Sequence, residues 1–230
     1  ARAMTATPSE PRAVATVVDV PAVTPTATLR PTRVSPHVAA LRSLAAPVAN
    51  APPAQVVTPP DTNGVSGVKV GHSTLTIPAG STAYDAPADW YLPTQADGSV
   101  KANGVIWLQH GFLADKAYYS ALATTLSQQT NSIVVAPTIF WFDTPLCPGC
   151  FLGGDAMRAA AASMFEGSRS ALTVSANAAG LQGLLPEKFI LTGHSAGGSF
   201  ATAVGSLLVG TDQEANLLGV VMFDGVSRPP

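Results

Sequence analysis

The sequence has 230 residues with a formal net charge of −2; 47% of the residues are hydrophobic and 11% are charged. A small negative charge argues against binding of a nucleic-acid backbone as the main function. The uninterrupted apolar runs, of which Leu217–Phe223 is among the longest, are far shorter than the roughly 18 residues that a membrane-spanning helix requires. Composition therefore excludes a transmembrane segment in this sequence and a nucleic acid as its partner.

The first 60 residues differ in composition from the rest. They contain more than half of the 20 prolines, and the first aromatic residue of the chain is Tyr84. A proline-rich segment without aromatic side chains cannot bury enough apolar surface to form a core. We therefore predict a disordered Ala/Pro/Thr-rich arm at residues 1–60 and a folded domain at residues 61–230. Such a leader is common in exported proteins of high-GC bacteria, so we expect a secreted or cell-envelope protein.

The folded part begins with two predicted strands that pair. Apolar side chains alternate over residues 65–77, and a second short apolar run covers residues 88–92. Period-two alternation of this kind, interrupted by proline and glycine, predicts an antiparallel pair at the edge of a sheet.

Strands and helices alternate in the remainder of the chain. Apolar runs predict buried strands at Gly104–Gln109, Ser132–Pro137, 189–192 and Leu217–Phe223, and helical periodicity predicts helices at 117–127, 156–181 with a break at Gly167, and 196–209. Tyr118, Leu122 and Leu126 define the apolar face that we predict for the first helix. This order predicts right-handed crossovers and a doubly wound α/β fold, with a mostly parallel sheet between helices.

A glycine-flanked serine follows the predicted strand at 189–192. The segment reads Gly193-His194-Ser195-Ala196-Gly197, and in this context, between a buried strand and a small-residue helix, the Gly-x-Ser-x-Gly pattern indicates a nucleophile elbow. The backbone N–H of Ala196 would lie at a helix N-terminus, where it can stabilise an oxyanion. Ser195 is therefore the predicted nucleophile and Ala196 an oxyanion-hole donor.

A second oxyanion donor is expected from the loop after an earlier strand. His110, Gly111 and Phe112 follow the strand Gly104–Gln109 directly, and the N–H of Phe112 is the predicted donor. Two roles are open for His110: it acts as the general base, or it orders the oxyanion loop by hydrogen bonding. We favour the second role, with Gly111 as part of the same support.

Taken together, the motifs at 110–112, 193–197 and 220–225 resemble those of an α/β-hydrolase and are similar to the lipase, chlorophyllase and polyester-hydrolase-like branches. The resemblance covers about residues 104–224. It implies the α/β-hydrolase fold and a serine hydrolase that cleaves carboxylic esters through an acyl-enzyme intermediate.

The resemblance also implies a Ser-Asp-His triad in that chain order. Lipase and chlorophyllase types place the acid at the end of the first strand after the elbow, and Asp224 stands at this position. The alternative is that Asp224 only forms a turn with Gly225 and that the acid lies further on.

The triad histidine is missing from the expected position, because the last histidine of the sequence is His194. His37 falls in the predicted arm and His72 in the first strand pair, and His194 stands beside the nucleophile. We therefore expect these residues to be the N-terminal part of a longer protein, with the final strands and the histidine beyond Pro230. A serine without its base is a poor nucleophile, so the 230-residue chain alone should be impaired.

Cys147 and Cys150 are the only cysteines, and their spacing suits a redox dithiol, half of a zinc site or a disulfide. A zinc site would need two further ligands nearby. A thioredoxin-like pair begins a helix, whereas Pro148 and Gly149 indicate a loop. We favour a disulfide that braces this loop, in an oxidising compartment, and keep free thiols and redox catalysis as alternatives.

An aromatic loop follows the strand Ser132–Pro137 and contains Phe140, Trp141 and Phe142. Such rings at the carboxyl end of a sheet suit a wall that binds a hydrophobic, uncharged small-molecule or lipid-like ester; the alternative is that they pack in the core beneath the loop. We predict no metal and no cofactor, and the sequence does not indicate an oligomeric state. An acyltransferase, and a binding module that keeps the scaffold without the chemistry, remain the competing functions.

Overall fold

The computed structural model describes residues 63–79 and 83–225. The predicted arm at 1–60 and His37 lie outside the described residues. Over the described ranges the chain forms six strands and four α-helices: β1 (Gly67–Ile77), β2 (Tyr84–Thr94), β3 (Gly104–Gln109), a 3-10 helix (Lys116–Tyr119), α1 (Ser120–Thr130), β4 (Ser132–Pro137), α2 (Asp155–Ser163), α3 (Ser170–Ala178), β5 (Phe189–His194), α4 (Ala196–Leu208) and β6 (Leu217–Phe223).

These strands form one sheet in the order β1-β2-β4-β3-β5-β6. The strands β4, β3, β5 and β6 are parallel to one another, whereas β2 is antiparallel to both β1 and β4. The predicted antiparallel pair at one edge and the predicted parallel sheet are both confirmed. Since parallel strands end at the same edge of a sheet, the segments after β3, β5 and β6 meet there.

Helices cover both faces of the sheet, as predicted. One face carries α1, whose Ala123 packs with Tyr91, Ile106 and Val134. The other face carries α2, α3 and α4 over the larger core cluster. All six residues of β3 and all six of β4 are buried, which explains why both strands read as continuous apolar runs. Among the described residues, no helix has the length and hydropathy needed to cross a membrane.

The inner face of α1 differs from the predicted one. Tyr118 is 77% exposed, whereas Tyr119, Leu122 and Leu126 pack against the core. The prediction for Tyr118 is wrong because a 3-10 helix precedes α1, and its tighter winding shifts the inward position by one residue. The predicted break near Gly167 is confirmed, since α2 and α3 are separate helices on either side of it.

Candidate active site

Ser195 occupies a strained turn between β5 and α4. Its backbone angles are φ 52° and ψ −118°, a region that residues other than glycine seldom adopt. Strain of this kind persists only where the surrounding structure holds it, and it occurs most often at functional sites. Here the N–H of Ser195 donates a hydrogen bond of 3.0 Å to the carbonyl oxygen of Phe223, so the turn is fixed to the end of β6.

The start of α4 lies directly against the end of β3. A Cβ atom at Gly197 would overlap the carbonyl oxygens of Gln109 and His110, and only glycine permits this approach. Ala196 is the first residue of α4, and its N–H has no acceptor within the helix, whereas the N–H groups of Gly198 and Ser199 donate to the carbonyl oxygen of Ser195. They lie at the positive end of the helix dipole, so the turn carries a donor for a developing oxyanion next to Ser195.

His110 orders the loop between β3 and the 3-10 helix. The ring is 1% exposed, and its Nε2 accepts a hydrogen bond of 3.0 Å from the N–H of Ile139. The proton therefore resides on Nδ1, which donates to the carbonyl oxygen of Gly111 at 2.8 Å. Burial lowers the pKa of His110, so the neutral ring is favoured. Because Nδ1 bonds within this loop and Nε2 bonds to the segment after β4, this geometry suits support of the loop rather than the general base.

Gly111 and Phe112 lie beside the nucleophile. A Cβ atom at Gly111 would lie 3.0 Å from Nδ1 of His194 and 3.3 Å from Cβ of Ser195, so the loop and the elbow are in contact. The N–H of Gly111 donates to the Tyr119 hydroxyl at 3.1 Å and is not available to a substrate. Within the described part of the chain the N–H of Phe112 has no hydrogen-bond acceptor, which leaves it as the donor on this loop.

Asp224 follows β6 immediately, and Gly225 comes next. Its backbone is left-handed, with φ 51°, and the residue is exposed. The hydrogen bond from Ser195 to Phe223 places Asp224 at the same edge of the sheet as the nucleophile. The structure thus brings together the predicted nucleophile, the two predicted oxyanion donors and the predicted acid.

The three described histidines form hydrogen bonds away from the Ser195 hydroxyl. His110 bonds to Gly111 and Ile139, Nδ1 of His194 lies 2.8 Å from the Tyr119 hydroxyl, and Nδ1 of His72 lies 2.6 Å from Asp89. His72 belongs to β1, which four other strands separate from β6. Among the described residues, none of these rings stands where a triad base would.

The aromatic loop after β4 borders the oxyanion loop. Phe142 packs edge-on against Phe112 at 5.5 Å between ring centroids, and Nε1 of Trp141 donates to the carbonyl oxygen of Ala114 at 2.8 Å. Phe140 and Phe142 are 54% and 59% exposed, so these two rings are not packed in the core. Phe142 adds apolar surface beside Phe112, whereas Phe140 packs edge-on against Tyr84 at 5.7 Å between ring centroids.

Cys147 and Cys150 form a disulfide. The bridge closes a short turn in the segment between β4 and α2, and Cys150 is buried. Its sulfur faces the carbonyl oxygen of Ala79 at 3.7 Å. The bridge therefore braces the segment that begins with the aromatic loop.

Two side-chain clusters carry no signal in the sequence. One is the link from Tyr119 to His194 and Gly111, which joins two motifs that are far apart in the chain. The other is buried Asp89, whose Oδ1 lies 2.6 Å from both Nδ1 of His72 and Nζ of Lys116. Both clusters join residues from different strands and helices. The periodicity of one segment does not predict which residues of other segments lie next to it.

One of the solved structures is similar enough to this chain to show its fold. Vibralactone cyclase is similar with a TM-score of 0.50 and 15% identity, over 71% of this chain and 44% of that chain. The chain has the α/β-hydrolase fold.

Other solved structures are similar to this chain at lower scores. An arylesterase matches with a TM-score of 0.44 and 19% identity, over 70% of this chain and 49% of that chain. An esterase from Pyrobaculum calidifontis matches with a TM-score of 0.42 and 16% identity, over 60% of this chain and 39% of that chain. The chain thus spans less than half the length of these structures. No protein-family model and no curated protein matches its sequence.

Proposed function

We propose that this chain provides the nucleophile and the oxyanion hole of a serine hydrolase that cleaves carboxylic esters. The observation that carries the proposal is the strained backbone of Ser195 at the N-terminus of α4, in contact with the loop that contains Gly111. This arrangement joins a half-buried nucleophile to two backbone donors that converge from different segments.

The proposed reaction has two steps of the same kind. The Ser195 hydroxyl oxygen bonds to the ester carbonyl carbon while a base takes the hydroxyl proton, and the N–H groups of Phe112 and Ala196 stabilise the tetrahedral oxyanion. The C–O bond to the alcohol then breaks, and the alcohol leaves with that proton. Water repeats the sequence on the acyl-enzyme, which releases the carboxylic acid and restores Ser195.

The base that we propose is a histidine beyond Pro230, oriented by Asp224. Two observations support it: the described histidine rings are engaged elsewhere, and β6 exposes the large apolar side chains Leu218, Val221 and Met222. Apolar residues on a strand of a parallel sheet are normally covered. Further strands of the same protein would pair with β6, and their helices would cover these side chains; the same segment would carry the histidine.

The substrate that we propose is a hydrophobic, uncharged ester of small-molecule or lipid-like character. The rings of Phe112 and Phe142 pack against each other at the oxyanion loop and are each more than half exposed, which suits an apolar acyl or alcohol group. Phe140, from the same aromatic loop as Phe142, is also more than half exposed. Lys116 is paired with buried Asp89 and so does not favour an anionic substrate. The disulfide is consistent with the proposed secreted or cell-envelope location.

A non-catalytic binding module is the second candidate. The observation that favours it is the hydrogen bonding of all three described histidines away from Ser195. The strained serine argues against it, because a scaffold without chemistry gains nothing from that backbone geometry.

The test is hydrolysis of p-nitrophenyl esters of increasing acyl length by the complete protein. Ser195→Ala should abolish turnover at every length. Ser206→Ala, on the exposed side of the same helix, is the matched control and should keep full activity. An acyltransferase would show itself by a much faster reaction when an acceptor alcohol is added. Absence of turnover by the unaltered protein, or its survival in Ser195→Ala, would overturn the proposal.

A further inference from the structure

The oxyanion loop and the nucleophile elbow are joined by one hydroxyl group. The Tyr119 hydroxyl accepts a hydrogen bond of 3.1 Å from the N–H of Gly111 and lies 2.8 Å from Nδ1 of His194. Gly111 precedes the proposed oxyanion donor Phe112, and His194 precedes the nucleophile Ser195. The hydroxyl therefore contacts the residue directly before the proposed oxyanion donor and the residue directly before the proposed nucleophile.

The bonding capacity of Tyr119 suits this position between the two segments. A phenolic hydroxyl has one proton and accepts hydrogen bonds through its lone pairs. Gly111 supplies the proton for one bond, which leaves the tyrosine proton for an unprotonated Nδ1 of His194. The two rings also contact each other, with centroids 5.8 Å apart, and Tyr119 packs against the core cluster under α1. The ring is thus held by packing, and the hydroxyl has two defined partners.

The Gly111 bond has a consequence for the oxyanion hole. A loop with two adjacent N–H groups near a nucleophile can present either of them to the substrate. Tyr119 occupies the N–H of Gly111, and His110 occupies its carbonyl oxygen at 2.8 Å. Both polar groups of Gly111 are therefore fixed, and the orientation of the next peptide, which carries the N–H of Phe112, is restricted.

We infer that Tyr119 is a positioning residue of the proposed esterase: through Gly111 and His194 it sets the distance between the Phe112 N–H and the Ser195 hydroxyl. It does not touch the reacting atoms. This inference rests on the proposed function. Because misplacement of an oxyanion donor weakens binding of the transition state more than binding of the substrate, Tyr119 should influence kcat rather than KM.

The test compares Tyr119→Phe with Tyr118→Phe in the complete protein. The first change removes only the bridging hydroxyl and keeps the packed ring, and the second removes a hydroxyl from the 77% exposed neighbour. Loss of a direct oxyanion donor costs about 10²–10³ in kcat, so for a residue that acts through the donor we expect about a tenfold loss for Tyr119→Phe, with KM changed less than twofold. Tyr118→Phe should match the unaltered protein in both constants.

Hydrogen exchange gives a readout that does not depend on activity. Tyr119→Phe should speed exchange of the amide proton of Gly111 by at least about tenfold, because that N–H loses its acceptor, and Tyr118→Phe should not. His194→Leu is the second variant, and the double variant should lose no more activity than the worse single one, as expected for one coupled unit.

The outcomes separate the two proposals. Unchanged Gly111 exchange, an unchanged kcat, or a loss confined to KM would overturn the positioning role even if Ser195 proves to be the nucleophile. If the unaltered protein hydrolyses no ester, the proposed function fails. The exchange measurement then still decides whether Tyr119 holds the loop: faster exchange in Tyr119→Phe alone supports that link, and equal exchange removes it.

Discussion

The two end strands of the sheet, β1 and β6, differ in the kind of side chain that they expose to solvent. At one end β1 exposes Lys69, His72 and Thr74, and Val70 is the one large apolar residue of this fully described strand that is exposed, at 43%. At the other end β6 exposes Leu218, Val221 and Met222, with values of 62%, 43% and 41%. Among residues 63–79 and 83–225, both strands pair on one side only.

The difference indicates that β1 is an edge adapted to solvent and that β6 is not. Natural edge strands avoid association by placing charged and polar side chains outward, and β1 follows this rule. The nucleophile and the oxyanion loop lie between the buried strands β3 and β5, where every neighbour is present. Asp224 instead follows β6, on the side where we propose that further strands belong.

The largest expected effect is the loss of kcat caused by Asp224→Asn in the complete protein, because Asp224 follows the end strand β6. If Asp224 orients the proposed histidine, its amide analogue should lower kcat by about 10⁴, the loss known for the corresponding change in a serine-protease triad. Steady-state kinetics with a p-nitrophenyl ester measures this. Asp212→Asn, in the exposed loop between α4 and β6, is the control and should be neutral. Full activity of Asp224→Asn would move the acid to another residue.

The buried contact between the start of α4 and the end of β3 should be sensitive to a single added methyl group. Gly197→Ala places a Cβ atom on the carbonyl oxygens of Gln109 and His110, and backbone atoms cannot move aside easily. We expect a loss of unfolding free energy of about 1–3 kcal/mol, typical of overpacking. Denaturant unfolding measures it. A Cβ atom at Gly219 in β6 would meet nothing within 4 Å, so Gly219→Ala should be nearly neutral; equal losses would contradict the packing described for the elbow.

The sequence predicts the fold well where burial alone determines the pattern. The ranges of β3, β4 and β6 agree with the structure residue for residue, because each is an apolar run with clear ends. The prediction for Tyr118 is wrong because a short 3-10 helix shifts the register. The motif at 193–197 predicts a turn around Ser195, and the structure has that turn. The bridge through Tyr119 could not be predicted, since it depends on the packing of α1 against the ends of β3 and β5.

A matched pair of substitutions tests whether β6 is an interior strand in the complete protein and an uncovered edge in the 230-residue chain. Val221 and Val70 are equally exposed, at 43%, on the two end strands. In the 230-residue chain, which we expect to self-associate through β6, Val221→Lys should raise the monomer fraction and Val70→Lys should change it little. In the complete protein Val221→Lys should lower stability, because the lysine would then be covered.

Size-exclusion chromatography of both chain lengths measures the monomer fraction. A monodisperse, active 230-residue chain would show that no further strands are needed. It would also show that one of the described histidines, His72 or His110, serves as the base.

The smallest expected effect is the pH dependence of stability that comes from the buried ring of His110. Burial lowers the pKa of His110 from its ordinary value of 6.5, so below that value the unfolded chain binds more protons than the folded one. Stability should therefore be full above about pH 6.5 and decline as the pH falls toward the folded pKa. Thermal unfolding between about pH 8 and pH 5 should show less decline in His110→Asn than in the unaltered protein. His72→Asn, at an exposed ring, is the control; an identical decline in His110→Asn would exclude His110 as its source.

The central claim, that Ser195 is an activated nucleophile, is tested most directly by a fluorophosphonate probe on the complete protein, with the modified residue located by peptide mass spectrometry. The serine oxygen displaces fluoride from phosphorus only where a base and an oxyanion hole assist it. We expect one adduct, on the peptide that contains Ser195, which is lost in Ser195→Ala and kept in Ser206→Ala. An adduct on another residue, or none in a protein that carries its later strands, would contradict it.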